Sequence, residues 1–225
     1  MLKLIRYFAR LFLFVFLGVT LFWVIALRFV NPPLTWLMLQ RGFERKFDRK
    51  DWKLEKTWVK YDEISDNLKR AVLAGEDQLF FKHSGFDVAA IRKAYSANVK
   101  GYHLRGGSTI SQQTAKNVFL WPGRSWIRKG FEAYFTVLIE LFWSKQRILE
   151  VYLNVIETGD GIYGVEAACQ NYFHRSCGKL TVRRASALAA IIPSPLRWSP
   201  VDPGRRARNR QRIIRISMPY IKLEK

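Results

Sequence analysis

Two adjacent carboxylates stand where an apolar helical pattern ends, in the segment AGEDQLFFKHSG over residues 74–85. A partly buried carboxylate loses hydration, so such a residue usually has a charge partner or a chemical task. At the carboxyl end of a helix, the macrodipole disfavours the ionised forms of Glu76 and Asp77. This placement would suit at least one of them to act as a general base. An ordinary solvated pair at a helix end is the alternative.

Two cations begin another predicted helix, in the segment SWIRKGFEAY. Arg128 and Lys129 stand in its first turn, where the helix dipole is unfavourable for cations but favourable for an external anion. Glu132 follows them at i+4 and i+3, so the three side chains share one face. A basic residue before an acidic one is the weaker order for a structural ion pair. The order therefore favours an anion site, and a surface salt bridge is the alternative.

A third segment, RGGSTISQQTAKN, combines two glycines with a polar helix. The glycines allow close approach to the backbone. The helix carries neutral hydrogen-bonding groups of the kind that hold sugar hydroxyls and acetamido groups: Ser108, Thr109, Ser111, Gln112 and Gln113. Lys116 shares a face with Gln112 and Gln113. The nucleotide-binding pattern GxxxxGK[ST] is absent from the sequence, and a capped polar helix after a flexible loop is the alternative.

Together with two later segments, these blocks resemble the family 51 peptidoglycan glycosyltransferases. EDQLFFKHSG is similar to that family's EDxxFxxHxG block, GGSTISQQTAKNVFL to its GGSTITQQ block, and RKGFE to its RKxxE block. KQRILEVYLNVIETGDGIYGVEAA and ALAAIIPSPLRWSP resemble the remaining two, and the five blocks follow in the family's order between about residues 60 and 200. One anchor without a following penicillin-binding domain is most similar to the monofunctional biosynthetic transglycosylases. Ser111 replaces a common Thr and Cys169 a common small alanine, and neither affects the catalytic set.

The resemblance implies polymerisation of peptidoglycan glycan strands. A glycan on undecaprenyl pyrophosphate would be transferred, with inversion, to the GlcNAc 4-hydroxyl of lipid II, and undecaprenyl pyrophosphate would leave. Glu76 would be the catalytic base, and Glu132 a second glutamate that positions basic residues or assists at the pyrophosphate. Lys116, Arg128 and Lys129 would neutralise the leaving group. Sugar or phosphate contacts are implied for Ser108, Gln112, Gln113 and Asn117.

The resemblance is compatible with a divalent cation, Mg²⁺ or Mn²⁺, at the pyrophosphate, with Asp77 as the candidate ligand and no organic cofactor. The implied partners are lipid II, undecaprenyl-pyrophosphate-linked glycan, the membrane, and cell-wall synthesis and division proteins. Nucleic acid is not among them. The sequence does not indicate a source organism, glycan length or stem-peptide preference.

Composition alone leaves other functions open. With 38 Lys+Arg against 18 Asp+Glu, the net charge of +20 would suit a polyanion, an anionic membrane or a phosphorylated substrate. A lytic muramidase would also use two carboxylates, but it has no evident need for three cations around one anion site. A membrane-tethered nucleic-acid binder leaves the acid pair unexplained. A non-catalytic scaffold of the wall machinery would share every anchor feature.

The N-terminus predicts a membrane anchor. Residues 1–10 are basic and favour a cytoplasmic location, and residues 11–30 form the predicted transmembrane helix, without a charge from Leu11 to Leu27. A cleaved signal peptide is the alternative, but its apolar core is usually shorter and no small-x-small cleavage site follows. Long domains translocate largely regardless of flanking charge. We therefore expect a single-pass protein of the bacterial inner membrane with its catalytic domain on the periplasmic, outer face.

The remaining chain must position the three segments. Residues 31–62 form a connector, either packed in the core or lying along the membrane, and residues 63–225 form the glycosyltransferase domain. The pattern is mostly α with at most a short hairpin, and the resemblance implies a lysozyme-like lobe beside a smaller membrane-associated lobe. Helices are predicted from Ser65 or Asp66 to about residue 77, over 86–99, after 106–108, from Ser125 with a break at 144–146, and over 166–173, 181–192 and 205–216.

Several other residues have structural interpretations. His83 is expected to be a hydrogen-bonded structural histidine, Cys169 a buried thiol rather than half of a disulfide with Cys177, and Tyr152 a core residue. Asn154 is compatible with either a structural or a functional role. The arginines near the C-terminus are expected to form a solvated basic face, with anionic lipid binding as the alternative: Arg205, Arg206, Arg208, Arg210, Arg212 and Arg215.

Overall fold

The computed structural model describes residues 1–89, 91–92, 96, 107–123 and 125–224, and the structural statements below refer to these residues. Half of the predicted helix over 86–99 lies outside the described residues, and its described residues 88, 89, 91, 92 and 96 are helical. The first glycine of the predicted start at 106–108 also lies outside the described residues.

The protein is mostly α-helical, as the sequence predicts. Its helices are α1 (Leu2–Phe29), α2 (Trp36–Phe47), α3 (Asp66–Glu76), α4 (Ile110–Phe119), α5 (Trp126–Phe142), α6 (Lys145–Val155), α7 (Val165–Phe173), α8 (Val182–Ile191) and α9 (Arg205–Ser217). Short 3₁₀ turns occupy Tyr61–Glu63, Cys177–Lys179 and Met218–Tyr220. The passage between α8 and α9 contains no regular element, in agreement with its proline-rich sequence.

Hydroxyl side chains fix where the central helices begin. The side-chain oxygens of Ser65, Ser125 and Ser144 each accept a hydrogen bond from the backbone N–H three residues later, the usual N-cap geometry. The predicted starts at Ser65 and Ser125 and the predicted break at 144–146 are therefore confirmed. In α4 the cap is Thr109, whose own N–H donates to the Gln112 side chain in a capping box.

The β structure is a small three-stranded sheet in the order β1-β3-β2. β2 (Glu157–Gly159) and β3 (Ile162–Tyr163) form the predicted hairpin, and β1 (Glu55–Lys56) from the connector pairs parallel with β3. Gly161 has a φ of 72°, and a Cβ there would lie 2.8 Å from the Lys53 carbonyl oxygen. A left-handed turn this close to another backbone requires glycine.

The helices pack in two groups that flank the end of α3. On one side α3 packs against α8 and α9, and on the other α4 packs against α5 and α6. Leu73, Ile148, Leu149, Tyr152 and Ile191 have at most 1% of their surface exposed and lie in the core. Burial of such large apolar side chains stabilises the fold by roughly 1.5–3 kcal/mol each. The last residue of α3, Glu76, consequently faces both α4 and α9.

The connector both packs into the core and exposes aromatic side chains. The Asn154 amide accepts from the Val59 N–H and donates to the Val59 carbonyl, each at 2.8 Å, so Asn154 has a structural role. In α2, Met38 is buried, whereas Trp36, Phe43 and Phe47 have 51%, 56% and 88% of their surface exposed. Packing into the core is therefore confirmed for the face of α2 that carries Met38, and contact of the exposed aromatic face with the membrane stays a prediction.

The N-terminal helix is long and apolar enough to cross a membrane. Its candidate span, Lys3–Phe29, has a mean hydropathy of 2.4, and 17% of the span is buried against the rest of the protein. Helical structure begins at Leu2 and therefore includes most of the basic segment over residues 1–10. Length and composition alone support the membrane assignment.

The membrane-length helix is docked on α5 rather than separate from the domain. The Thr20 and Tyr134 hydroxyls lie 2.7 Å apart, and the Phe16 ring lies against Phe131 and Tyr134. Nearer the carboxyl end of α1, the Trp143 indole N–H donates to the Val24 carbonyl at 2.8 Å. These contacts fix α1 and α5 side by side.

Arg147 of α6 closes the end of α1. Its guanidinium donates at 2.9 Å to the Leu27 and Val30 carbonyl oxygens and, on its other terminal nitrogen, to the Asn31 side chain. The last carbonyls of a helix lack intrahelical partners and carry its negative dipole end, so a cation is favourable there. The carboxyl end of α1 is therefore fixed in direction relative to α6.

The two cysteines are buried free thiols. Burial raises the pKa of the Cys169 thiol to about 12 and also raises the pKa of Cys177, with the neighbouring Glu166 acting in the same direction. A thiol that does not ionise is a poor nucleophile. The expected structural role of Cys169 is confirmed.

Candidate active site

Glu76 lies at the junction of three helices with its carboxylate held from two sides. Its Oε2 accepts from the Gln113 side-chain amide of α4 at 2.9 Å, and its Oε1 accepts from the Arg210 guanidinium of α9 at 2.7 Å. The Glu76 side chain is 11% exposed. Gln113 is fixed in turn, because its carbonyl oxygen accepts from the Tyr152 hydroxyl at 3.1 Å. Each carboxylate oxygen can accept more than one hydrogen bond, so Glu76 retains the capacity to take a proton.

Glu76 opens onto a cleft of about 380 Å³. The wall of this cleft consists of the end of α3, the turn that follows it, and the residues that lead into α4, including Ser108. Ser108 is exposed, whereas its neighbour Thr109 is buried and donates its hydroxyl to the Gly85 carbonyl at 2.7 Å. The acid segment and the glycine-rich segment therefore meet at one site, as the sequence predicts.

Asp77, although adjacent in sequence, has a different environment. Its Oδ2 accepts from the Ile110 backbone N–H, the first of α4, at 2.9 Å, and the His83 Nε2 lies 2.9 Å from its Oδ1. Both oxygens are thus committed to joining α3 with the start of α4. His83 has the structural, hydrogen-bonded role that was expected.

The metal role predicted for Asp77 has no support in this geometry. A divalent cation of the Mg²⁺ type needs several oxygen ligands with accessible lone pairs. Within the described part of the chain, no group of three or more His, Cys, Asp or Glu side chains is arranged to hold a metal ion. The carboxylate of Asp77 is 3% exposed and is engaged by His83 and Ile110.

Gln112, predicted to contact the substrate, caps the start of α4. Its side-chain oxygen accepts from the Thr109 N–H at 3.0 Å as part of the α4 capping box, and the residue is 4% exposed. Gln113, one residue later, is the glutamine that reaches Glu76. Successive helical residues differ by about 100° in direction, so adjacent glutamines in α4 serve different partners.

The predicted cations cluster around Glu132. Arg128 donates to Glu132 Oε2 at 2.9 Å, and the Lys129 ammonium pairs with Oε1. Glu132 is 2% exposed and Arg128 9%, whereas the Lys129 side chain is 42% exposed. A carboxylate this deeply buried requires such partners. Glu132 accordingly orients two cations, one of which reaches solvent.

A second cavity, of about 190 Å³, opens beside these cations. Lys116, Asn117 and Arg128 line it together with Leu37 of α2 and the turn between α4 and α5. Lys116 is an exposed residue overall, but desolvation around its ammonium lowers its pKa, and the nearby Arg128 and Lys129 act in the same direction while Glu132 and Glu76 oppose them. Cations held close together against a single carboxylate favour an incoming anion.

Arg210 is the site residue that the sequence interpretation missed. The arginines of the last helix were expected to be solvated, yet the Arg210 side chain is 29% exposed and forms an ion pair with Glu76. A signal was present in the sequence. Ala207 and Ile214 are the buried residues of α9, and Arg210 lies three residues after one and four before the other, on the same side of the helix.

Comparisons with known proteins identify relatives over most of the chain. The model of the family described as Transglycosylase matches residues 45–219. Curated relatives named biosynthetic peptidoglycan transglycosylase include one from Caulobacter vibrioides, 54% identical over 85% of this chain and 81% of the relative. Others come from Stutzerimonas stutzeri, 53% identical over 87% and 81%, and from Pseudomonas aeruginosa, 48% identical over 94% and 92%. These similarities favour a transferase over a muramidase or a nucleic-acid binder.

Proposed function

We propose that Glu76 is the catalytic base of this protein, since the chain belongs to the transglycosylase family. Members of this family are glycosyltransferases of peptidoglycan synthesis, and this protein polymerises glycan strands from lipid II. The observation that carries the proposal is a carboxylate fixed in an open cleft, separate from a cavity lined by cations. A base and an anion site of this kind fit the two ends of the reaction, activation of a hydroxyl and departure of a pyrophosphate.

The proposed step is an inverting displacement. Glu76 takes the proton of the GlcNAc 4-hydroxyl of lipid II, and that oxygen attacks C1 of the donor MurNAc on the face opposite the leaving group. The new C1–O bond forms as the bond from C1 to the phosphate oxygen breaks. The electron pair leaves with undecaprenyl pyrophosphate. Gln113 and Arg210, by holding both Glu76 oxygens, support a fixed direction for the proton transfer.

The leaving group is proposed to lie in the second cavity. Lys116, Arg128 and Lys129 would neutralise the charge that develops on the pyrophosphate as the C1–O bond breaks. Glu132 keeps the cations Arg128 and Lys129 oriented before substrate arrives. Asn117 and Ser108 would make neutral contacts to phosphate or sugar oxygens, which their places on the cavity and the cleft support.

The membrane supplies both the substrates and the location. The apolar α1 and the exposed aromatic face of α2 support a single-pass protein of the bacterial inner membrane, with the catalytic domain on the periplasmic face beside the lipid-borne donor and acceptor. Cell-wall synthesis and division proteins are proposed as further partners. No step of the mechanism is assigned to a divalent cation, and dependence on Mg²⁺ or Mn²⁺ stays a prediction that assays with and without EDTA test.

The experiment is an incubation of detergent-solubilised protein with labelled lipid II, wild type beside Glu76→Gln. We expect lysozyme-sensitive polymer from the wild type and none from the variant, since Gln has the size of Glu but does not accept the proton. Gln has one acceptor oxygen, so it keeps one of the two hydrogen bonds that Glu76 accepts from Gln113 and Arg210. Circular dichroism and thermal unfolding check that the variant is folded. Wild-type turnover by a folded Glu76→Gln would refute the role of Glu76.

A further inference from the structure

We infer that Arg210 is a positioning residue for Glu76, joining the carboxyl end of α3 to the last helix of the domain and fixing the direction of the carboxylate in the cleft. The inference rests on the proposed function of Glu76 as the base. It gives a positioning role to Arg210, whereas the other arginines of α9 are exposed.

Arg210 contacts both a backbone carbonyl and a side-chain carboxylate at the end of α3. One terminal nitrogen, Nη2, lies 2.7 Å from the Gly75 carbonyl oxygen and 2.7 Å from Glu76 Oε1. The Gly75 carbonyl is among the last of α3 and lacks an intrahelical partner. A single donor group thus ties the carboxylate to the helix end that carries it, so the Glu76 side chain cannot rotate without losing this shared contact.

The arginine also resolves an electrostatic conflict. A carboxylate at the carboxyl end of a helix faces the negative end of the dipole, which is unfavourable without a cation nearby. The Arg210 guanidinium supplies that cation, and its planar fork holds a fixed geometry better than an ammonium would. The guanidinium therefore offsets the unfavourable end of the α3 dipole and orients the Glu76 carboxylate.

Gly75 lets α9 approach α3 closely at this contact. A Cβ at Gly75 would lie 3.0 Å from Ile214 Cδ1 and 3.4 Å from Arg210 Nη2. Ile214 is 1% exposed and anchors α9 on the core, one turn beyond Arg210. Arg210 of α9 therefore holds Glu76 Oε1, and Gln113 of α4 holds Glu76 Oε2.

The test compares Arg210→Ala with Arg212→Ala in the lipid II assay. Arg212 lies on the same helix but is exposed, so its variant controls for loss of one positive charge. We expect Arg210→Ala to lower kcat about 10- to 100-fold with KM unchanged, because a base displaced by about 1 Å reacts poorly while substrate still binds. Arg212→Ala should behave as wild type.

Two further measurements separate positioning from general structural support. Added guanidinium ion should restore part of the kcat of Arg210→Ala by occupying the vacated space, and Arg210→Lys should retain intermediate activity. A kcat loss that guanidinium does not restore would assign the defect to packing and overturn the inference, as would unchanged kcat in Arg210→Ala. A rise in KM alone would make Arg210 a substrate contact instead. Wild-type turnover by Glu76→Gln would instead refute the proposed role of Glu76, on which this inference rests.

Discussion

At the scale of single residues, the carboxylates Glu76 and Asp77 are adjacent in sequence but have different environments. Glu76 is the last residue of α3 and faces the cleft, whereas Asp77, the C-cap, turns toward the start of α4. The division follows from geometry, since the chain leaves the helix between them. One carboxylate is available for chemistry because the other is used to build the wall beside it.

Lys116 provides a pH-dependent prediction at this scale. Burial lowers the pKa of its ammonium below the ordinary value of 10.5. Below the lowered pKa the charge is fully present, and it is lost as pH rises through that pKa. We therefore expect the KM for the pyrophosphate-linked donor to rise about tenfold at an alkaline pH below 10.5, the loss of one charge-assisted contact of about 1.5 kcal/mol.

The measurement is donor KM against pH for the wild type and Lys116→Arg. Arginine stays protonated beyond pH ~12, so the rise should move to higher pH in the variant. Lys82→Arg, at an exposed lysine away from the second cavity, is the matched control and should leave the profile unchanged. Identical profiles for wild type and Lys116→Arg would remove Lys116 from the pyrophosphate site.

At the scale of elements, the site depends on the joint between α3 and α4. The joint is polar and buried. Asp77 binds the first N–H of α4 and His83, and Thr109 binds the Gly85 carbonyl. An acidic group at a helix N-terminus is favoured by the dipole. Loss of this joint would separate Glu76 from Gln113, since they lie on the two helices that it connects.

Asp77→Ala should destabilise the protein. The change leaves the buried Ile110 N–H and His83 without their partner, which costs about 1–3 kcal/mol for each group left unsatisfied. Urea unfolding in detergent, followed by circular dichroism, measures the change in the free energy of unfolding. Arg212→Ala, at an exposed position of α9, is the control and should unfold close to wild type. A wild-type unfolding curve for Asp77→Ala would contradict the structural role of this carboxylate.

Capping residues and hydrophobic periodicity made most helices predictable from the sequence. Contacts between segments far apart in the chain could not be predicted in this way. Ser65, Ser125 and Ser144 mark helix starts because a cap accepts from a backbone N–H only two or three residues later, so its partner is set by local sequence. The capping role of Gln112 could not be predicted in place of a substrate contact, because the direction of each adjacent glutamine depends on the packing of α4. Arg210 reaches Glu76 across 134 positions of chain, and only the packing of α9 on α3 determines that contact.

At the scale of the whole molecule, the anchor and the catalytic domain are one packed unit. Hydrogen bonds join α1 to α5 and α6 at Thr20, Val24, Leu27 and Val30. Interhelical hydrogen bonds in a bilayer contribute only about 0.6 kcal/mol on average. Several such contacts along one helix together restrict its direction, which a single contact would not.

Removal of the Arg147 side chain, which binds the carbonyls at the carboxyl end of α1, should make that end of α1 more mobile. In Arg147→Ala the carbonyls of Leu27 and Val30 lose their donor. A spin label at Phe29→Cys, where the side chain is 74% exposed, should then become more mobile in proteoliposomes. A label at Phe12→Cys, 73% exposed and far from Arg147, is the control and should be unaffected. Equal spectra at Phe29 with and without Arg147 would show that this side chain is not what restrains α1.

The docking of α1 has a kinetic consequence. If α1 lies in the bilayer, as proposed, its packing on α5 keeps the cleft at one height and one orientation above a surface in which donor and acceptor also diffuse. Encounters then take place in two dimensions, and the rate follows the number of lipid II molecules per unit area of membrane. Adding inert phospholipid at constant bulk lipid II should slow the enzyme, whereas diluting the whole suspension with buffer should leave the turnover of each enzyme molecule unchanged.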